Sequence, residues 1–402
     1  MKGWELVHLK DVCKLINGRA YNQAELLHEG KYPVLRVGNF FSNRSWYYSD
    51  LELDENKYCD DGDLLYAWSA SFGPRIWQGG KVIYHYHIWK TDLDLDRVYK
   101  RFLYYWFEWD TKRIKSEQGV GTTMIHVTKG AMEDRSLYLP PLLEQKQIVS
   151  IVDQAFEGID RAIANTKKNL TNARELFESY LNAIFTQKGD GWVEKTVGEV
   201  ADHSLGKMLD KRKNTGVLKP YLRNLNVRWF EFDLSDLLEM PFEESERKKC
   251  TAIKGDVLIC EGGYPGRAAI WQKDEPIYFQ KAIHRVRFKN AAHSKWFLYF
   301  IYLSDSNNQL KQYFTGAGIQ HFTGQSLHRF KLPIPPTPVI ENFVEQFDEL
   351  RNETQRLEAI YQQKLAALTE LKQSILQKAF TGELTADIAN QTTKKAEEAI
   401  AA

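Results

Sequence analysis

Apolar positions recur at spacings of three and four residues along two separated stretches of the chain. The first carries Ile148, Val152, Ala155, Ile159, Ala162, Thr166, Leu170, Ala173, Phe177, Tyr180 and Ile184. The second carries Phe343, Phe347, Leu350, Thr354, Leu357, Tyr361, Leu365, Leu368, Lys372, Ile375 and Ala379, each 195 positions later. This is the seam of a coiled coil. Lys372 interrupts it, and the neighbouring Leu371 is expected to fill the gap. Pro140-Pro141 and Pro335-Pro336 mark the helix entries, because proline is tolerated there and not inside. Gly189 and Gly382 mark the ends. Each helix then holds about 42 residues and spans about 63 Å at about 1.5 Å per residue. One helix cannot bury such a seam alone, so the two most simply pair with each other.

The 195-residue offset extends upstream. Gly121-Thr122-Thr123-Met124-Ile125-His126 parallels Gly316-Ala317-Gly318-Ile319-Gln320-His321. Leu139-Pro140-Pro141 parallels Ile334-Pro335-Pro336, Asp153 parallels Asp348, and residues 181–186 parallel 376–381. Before that the register loosens: Leu35-Arg36 matches Leu222-Arg223, and Gly62-Asp63-Leu64-Leu65 matches Gly255-Asp256-Val257-Leu258, at offsets between 187 and 193. The chain is therefore an internal repeat with a variable front and a closely repeated back in each half. The fronts mix short strand-like runs, such as Val34-Leu35-Arg36-Val37, 63–66 and 256–259, with one helix each, over 101–117 and 295–314. The fold class is α+β: two similar domains joined by two long helices in a pseudo-two-fold repeat. The expected divisions are 1–140, 141–188, 189–335, 336–384 and a flexible tail at 385–402.

Composition narrows the function classes. With 43% hydrophobic and 27% charged residues among 402, the chain reads as globular. No apolar run is long enough for a membrane span, and the N-terminus lacks a secretory stretch, so a cytoplasmic protein is expected. Cys13, Cys59, Cys250 and Cys260 form no CxxC pair and read as ordinary buried thiols, with no metal expected. The net charge of +1 neither requires nor excludes a nucleic-acid partner. No P-loop, HExxH or Asn-Pro-Pro-aromatic motif is present, and Gly119-x-Gly121 lacks the third glycine of a nucleotide fingerprint. An enzyme acting on DNA unaided is disfavoured on these grounds. A coiled-coil scaffold with carbohydrate- or protein-binding heads remains the rival to a DNA reader, and salt-insensitive binding would favour it.

The entry segment Leu139-Pro140-Pro141-Leu142-Leu143-Glu144-Gln145-Lys146-Gln147-Ile148 and the exit segment Gln373-Ser374-Ile375-Leu376-Gln377-Lys378-Ala379-Phe380-Thr381-Gly382-Glu383-Leu384-Thr385 resemble those of the specificity subunits of Type I restriction-modification systems. The second entry, Thr337-Pro338-Val339-Ile340-Glu341-Asn342, departs from the Glu-Gln pattern. The resemblance covers nearly the whole chain. It implies two target-recognition domains, each reading half of a split double-stranded DNA target, held apart by antiparallel spacer helices. It also implies two docked methyltransferase subunits and a motor-nuclease subunit. S-adenosylmethionine, ATP and Mg would then belong to those partners, and this chain would bind no cofactor and catalyse nothing. Rigid spacing between two readers maps onto the DNA helical repeat, and unequal fronts predict an asymmetric target.

Candidate DNA-binding residues follow from chemistry and position. Ser69-Ala70-Ser71-Phe72-Gly73-Pro74-Arg75 and Glu261-Gly262-Gly263-Tyr264-Pro265-Gly266-Arg267 are small-residue loops closed by an arginine. Ser71, Arg75, Tyr264 and Arg267 could reach bases or phosphates, or the loops could be tight turns with a solvated Arg. Gly119, Gly121 and Thr122, with Gly316 and Gly318, could offer backbone amides to phosphate, while His126 and His321 brace their loops. Lys211 and Arg212, with Lys213 and the Arg247-Lys248-Lys249 cluster, fit either phosphate contact or a solvated face. Arg36 and Asn39 match Arg223 and Asn226, and suit base edges or strand-end packing equally. His85-Tyr86-His87 reads as strand, with two histidines on one face and no third metal ligand.

Overall fold

The computed structural model describes residues 3–42, 45–69, 72–117, 126–210 and 214–385. The chain divides into two compact units, residues 1–166 with 363–402 and residues 167–362. The division cuts both long helices, so each unit takes one part of each.

The first unit holds strands β1 (Glu5–His8), β2 (Cys13–Asn17), β3 (Tyr32–Leu35), β4 (Tyr47–Ser49), β5 (Tyr58–Cys59), β6 (Leu64–Ala67), β7 (Gly73–Ile76), β8 (Val82–Tyr84), β9 (Ile88–Leu93) and β10 (Ser136–Leu139). Helices α1 (Val37–Phe41), α2 (Lys100–Glu117) and α3 (Lys129–Glu133) complete the domain, and α4 (Leu142–Gln187) leaves it. The strands form a ribbon β1-β10 and two four-stranded sheets, ordered β2-β9-β6-β7 and β4-β3-β8-β5. In the second unit come β11 (Val193–Thr196), α5 (Val197–Val200), β12 (Ala201–Leu205), β13 (Val217–Leu222), β14 (Leu238–Phe242), α6 (Arg247–Cys250), β15 (Thr251–Ala252), β16 (Val257–Cys260), β17 (Ala268–Ile270), β18 (Ile277–Phe279), β19 (Ile283–Phe288), α7 (Ala292–Ser306), α8 (Gly324–Arg329), β20 (Lys331–Ile334) and α9 (Thr337–Thr381). Its sheets are β11-β20, β12-β19-β16-β17 and β14-β13-β18-β15. Every strand number is raised by ten and the order is unchanged. Even the parallel pair recurs, as β3 with β8 and β13 with β18. The repeat seen in the residues is thus a repeat of topology.

Each unit packs α2 or α7 between a sheet and its share of the long helices. In the first, Phe102 meets Phe380 at 5.2 Å and Tyr105 meets Phe156 at 5.5 Å, edge on. In the second, Trp296 and Phe347 stack at 5.9 Å and Phe185 lies 4.5 Å from Trp296. These rings bury apolar area that stabilises the helix–domain contact. A matched polar lock accompanies them. Asp153 accepts from Tyr105 Oη at 2.5 Å and Arg101 Nε at 2.9 Å. Asp348 accepts from Tyr299 Oη and Lys295 Nζ, both at 2.5 Å.

Some expectations change. The seam keeps Lys372 and leaves Leu371 exposed. The Lys372 ammonium lies 2.5 Å from Asp160 and 4.6 Å from the Phe156 ring centroid, so its stem covers the seam while its charge is paired. The departure at the second helix entry is a change of chemistry: Gln145 is fully buried and ties Tyr99 N, Arg97 O and Pro140 O, and its repeat partner Ile340 fills the same place with an apolar side chain. The run at 34–37 ends at Leu35, because Arg36 caps a short helix. The helix expected over 295–314 stops at Ser306; Asn308 turns left-handed at φ +62° and a 3-10 segment follows. His85-Tyr86-His87 is the turn by which the chain passes from β8 in one sheet to β9 in the other, with the Ile88 N–H bonded to His85 O, and not a strand. All four cysteines are buried and free. No described helix is long and apolar enough to cross a membrane.

Candidate nucleic-acid interface

The second unit joins three loops at one end of its sheets. The 3-10 turn Asn224–Asn226 sits after β13, the 261–267 loop after β16, and the 315–321 loop after α7. Asn224 is the hub. Its Nδ2 donates to Gly262 O at 3.1 Å, and its carbonyl accepts from Arg267 Nη2 at 2.9 Å and Cys260 Sγ at 3.6 Å. The Phe322 N–H donates to Glu261 O at 2.7 Å, which attaches the third loop. Thr315 and His321 exchange backbone bonds of 2.9 and 2.8 Å and close that loop. Glycine is required at two places. Gly263 has φ +78°, and a Cβ there would lie 2.3 Å from Asn224 Nδ2; Gly316 has φ +104°, and a Cβ there would lie 2.2 Å from Ile319 O. The joined loops expose Tyr264, Leu225 and Ile319 at 58%, 51% and 74%. Exposed apolar side chains on a polar, glycine-rich rim suit base edges and thymine methyls.

The expected residues divide between this surface and its support. Tyr264 is exposed, and the Arg267 guanidinium carbon lies 4.1 Å from its ring centroid. Arg267 is half-buried with one arm on Asn224, so it braces the turn as well as presenting charge. Gly316 and Gly318 lie in the exposed loop. Asn226 is buried: its Oδ1 accepts from Arg223 N at 2.8 Å, and its Nδ2 donates to Asp233 O and Asp236 O. Arg223 pairs with Asp236 at 2.6 Å. Both therefore shape the loop and do not present a free edge. Asn39, also buried, donates to Ser45 O at 3.2 Å, and Arg36 lies over the Tyr47 ring at 4.2 Å. Arg75 is not the partner of Arg267. It sits within β7 opposite Leu65, the place of Ala269, because the connection 68–72 is shorter than 261–267. It faces a crevice shared with Arg101, Tyr105 and Asp153. Ser71, Gly119, Gly121, Thr122, Lys211 and Arg212 lie outside the described residues. Of the exposed charges of 247–249, Arg247 pairs with Glu244.

The corresponding face of the first unit has other chemistry. Trp68 N donates to His87 O at 3.0 Å, as Glu261 N donates to Ala282 O at 2.8 Å. Around Trp68 lie His87 at 5.0 Å, Tyr86 at 6.1 Å and His126 at 6.1 Å, and Ser69 bridges His126. Burial, then the charges of His87 and Arg36, push His85 down to about 4, so it is neutral at pH 7. Trp68 was not singled out in the sequence, and Tyr86 and His87 were read there only as part of a strand. Only the turn from β8 to β9 brings them together, and neither period nor spacing signals it. Leu225 and Ile319 were missed for the same reason. Among the described residues no group of three or more His, Cys, Asp or Glu side chains could hold a metal ion.

Comparison with known proteins supplies the family. The model of the Type I restriction modification DNA specificity domain matches residues 1–172 and again 189–365. The chain is 24% identical over 418 aligned residues to the Type I restriction enzyme EcoBI specificity subunit of Escherichia coli, covering 95% of this chain and 86% of that one. It is 23% identical to the MjaVIII specificity subunit of Methanocaldococcus jannaschii, covering 95% and 93%. Among solved structures, a chain from work on assembly and conformational transition of the type I R-M system aligns with TM-score 0.76 at 18% identity, covering 95% and 99%. The HsdS subunit of Thermoanaerobacter tengcongensis aligns at 0.51 and 17%, covering 95% and 97%.

Proposed function

Since the chain belongs to the family of Type I restriction-modification DNA specificity domains, we propose that it is the recognition subunit of such a system and reads a split, asymmetric DNA target. Each unit reads one half. The observation that carries this reading is the pair of equivalent faces: one ten-strand topology occurs twice, with Trp68, Tyr86, His87 and His126 on one copy and Glu261, Lys281, Ala282 and His321 on the other. A kept scaffold with exchanged contact groups is what reading two different base strings requires. In the second unit Tyr264, Arg267, Gly316 and Gly318 contact DNA, with Lys211 and Arg212 as phosphate partners. In the first, Trp68 does so, and Ser71, Gly119, Gly121 and Thr122 are assigned the same role. Arg36, Asn39, Arg223 and Asn226 hold the loops.

The long helices set the distance between half-sites and dock two methyltransferase subunits. Adenine methylation is assigned to those subunits with S-adenosylmethionine, and cleavage to a motor-nuclease subunit with ATP and Mg. The chain itself contributes recognition, and the complex works in the cytoplasm. The test is co-expression with the methyltransferase subunit and a genome-wide map of methylated adenines. A single split motif with unequal halves is expected. A soluble, assembled complex that adds no methylation would refute the reading.

A further inference from the structure

The connection from β13 to β14 in the second unit carries the strained residue Phe230. Its φ is +68°, a left-handed conformation that an aromatic residue adopts only where its surroundings enforce it. Two sets of contacts do so. The Phe230 N–H donates to Ala268 O at 3.0 Å, one residue beyond Arg267, which holds the Asn224 hub. The ring lies 5.3 Å from Tyr299 and 5.1 Å from Tyr302 on α7, with the Arg351 guanidinium of α9 at 4.3 Å. Trp229 meets Tyr302 edge on at 5.2 Å. The turn is internally closed: Val227 bridges Phe232, and Arg228 N donates to Glu231 O at 2.9 Å. Phe230 therefore touches the loop pair through its backbone and the helices through its ring.

The space around it agrees. Phe230 lines two crevices, of about 340 Å³ and about 320 Å³. At the equivalent place in the first unit is one crevice of about 670 Å³, with Arg101, Tyr105 and Asp153 where the second unit has Lys295, Tyr299 and Asp348. The Trp229–Phe230 tip thus sits in the second unit's crevice with free volume beside it, where Phe41 of the β3–β4 connection lines the single crevice of the first. We propose that Phe230, seated by Trp229, is a positioning residue for recognition. It sets the height of the Asn224 and 261–267 loops against α7 and α9, and so fixes the base preference of that unit. Base contacts demand placement to within about 0.5 Å, which a turn held on one side only does not provide. This rests on the reading of the chain as a two-half recognition subunit.

The test uses the full chain co-expressed with its methyltransferase subunit, carrying Phe230→Ala or Phe230→Tyr. Methylation is mapped by base at each recognised position. Phe230→Ala should reduce preference for the correct bases in one half by about tenfold, the scale of one lost base contact, and leave the other half unchanged. Phe230→Tyr keeps the ring over Arg351 and should restore it. Unchanged preference in both halves, equal loss in both, or failure of the tyrosine to restore would overturn the proposal. If Phe230→Ala does not assemble, Arg351→Met removes the cation from the ring and is read the same way. A wild-type complex that shows no split motif would instead overturn the functional reading, and needs no variant to reveal it.

Discussion

The same backbone bond, Trp68 N to His87 O in one unit and Glu261 N to Ala282 O in the other, carries an aromatic–histidine platform in the first case and a charged, glycine-rich loop in the second. The difference teaches where the repeat is constrained. Positions that close the ladder or meet the helices keep their role: Asp153 and Asp348 both accept a tyrosine hydroxyl at 2.5 Å. Positions beyond the strand ends do not, because their backbone is satisfied within the loop and their side chains face outward. The core also tolerates exchange of both size and polarity. His284 on β19 occupies the place of Trp89 on β9, fully enclosed in both units.

The hardest way to break the equivalence is to cut its shared core. Phe185→Ala and Phe380→Ala remove buried rings from repeat-related positions and should each cost about 3–5 kcal/mol. Denaturant unfolding checks this, and costs differing by more than about 2 kcal/mol would mean that the two places are not equivalent. His284 separates the units next. Burial, then His203, pushes it down to about 4 against its ordinary 6.5. A base whose folded value is depressed stays neutral in the fold and takes a proton on unfolding. Its penalty is absent above pH 6.5 and grows as pH falls toward 4. His284→Leu should flatten that acid limb in unfolding curves, and an unchanged limb would contradict the assignment. Smaller still, Trp68→Ala and Arg267→Ala should each cost about 1–3 kcal/mol of discrimination, in opposite halves of the target. Methylation mapping reads this, and loss in the same half would collapse the comparison. Smallest is Lys372→Leu, expected to change stability by under about 1 kcal/mol, because a partly exposed ion pair contributes little. A loss above about 2 kcal/mol in thermal or denaturant unfolding would show that Lys372 organises the seam.

The helices were the most legible part of the chain. Their phase follows from the period of 3.6, and even Lys372 stands where that period puts it. The strands of the fronts were legible as short runs bounded by turns, and the repeat was legible at its back. Register across loops was not. Arg75 and Arg267 look equivalent in sequence, yet unequal connections shift one of them into a strand. Asn226 and Tyr264 looked alike as candidates, but burial, which depends on the whole sheet, separates them. Phe230 gave no signal at all. A positive φ on an aromatic residue is imposed by contacts distant in sequence, and no local preference announces it.

In each unit the first and last strands pair with each other, β1 with β10 and β11 with β20. Entry and exit of the intervening chain are thereby stapled at one spot, beside the start of the following helix. Everything between behaves as a cassette that meets the long helices through one helix of its own, α2 or α7. Exchange of one cassette would leave the helices uncut, provided the incoming helix keeps the rings and the tyrosine that meet them. Built this way, the chain can acquire a new half-specificity by wholesale replacement, without having to evolve it contact by contact.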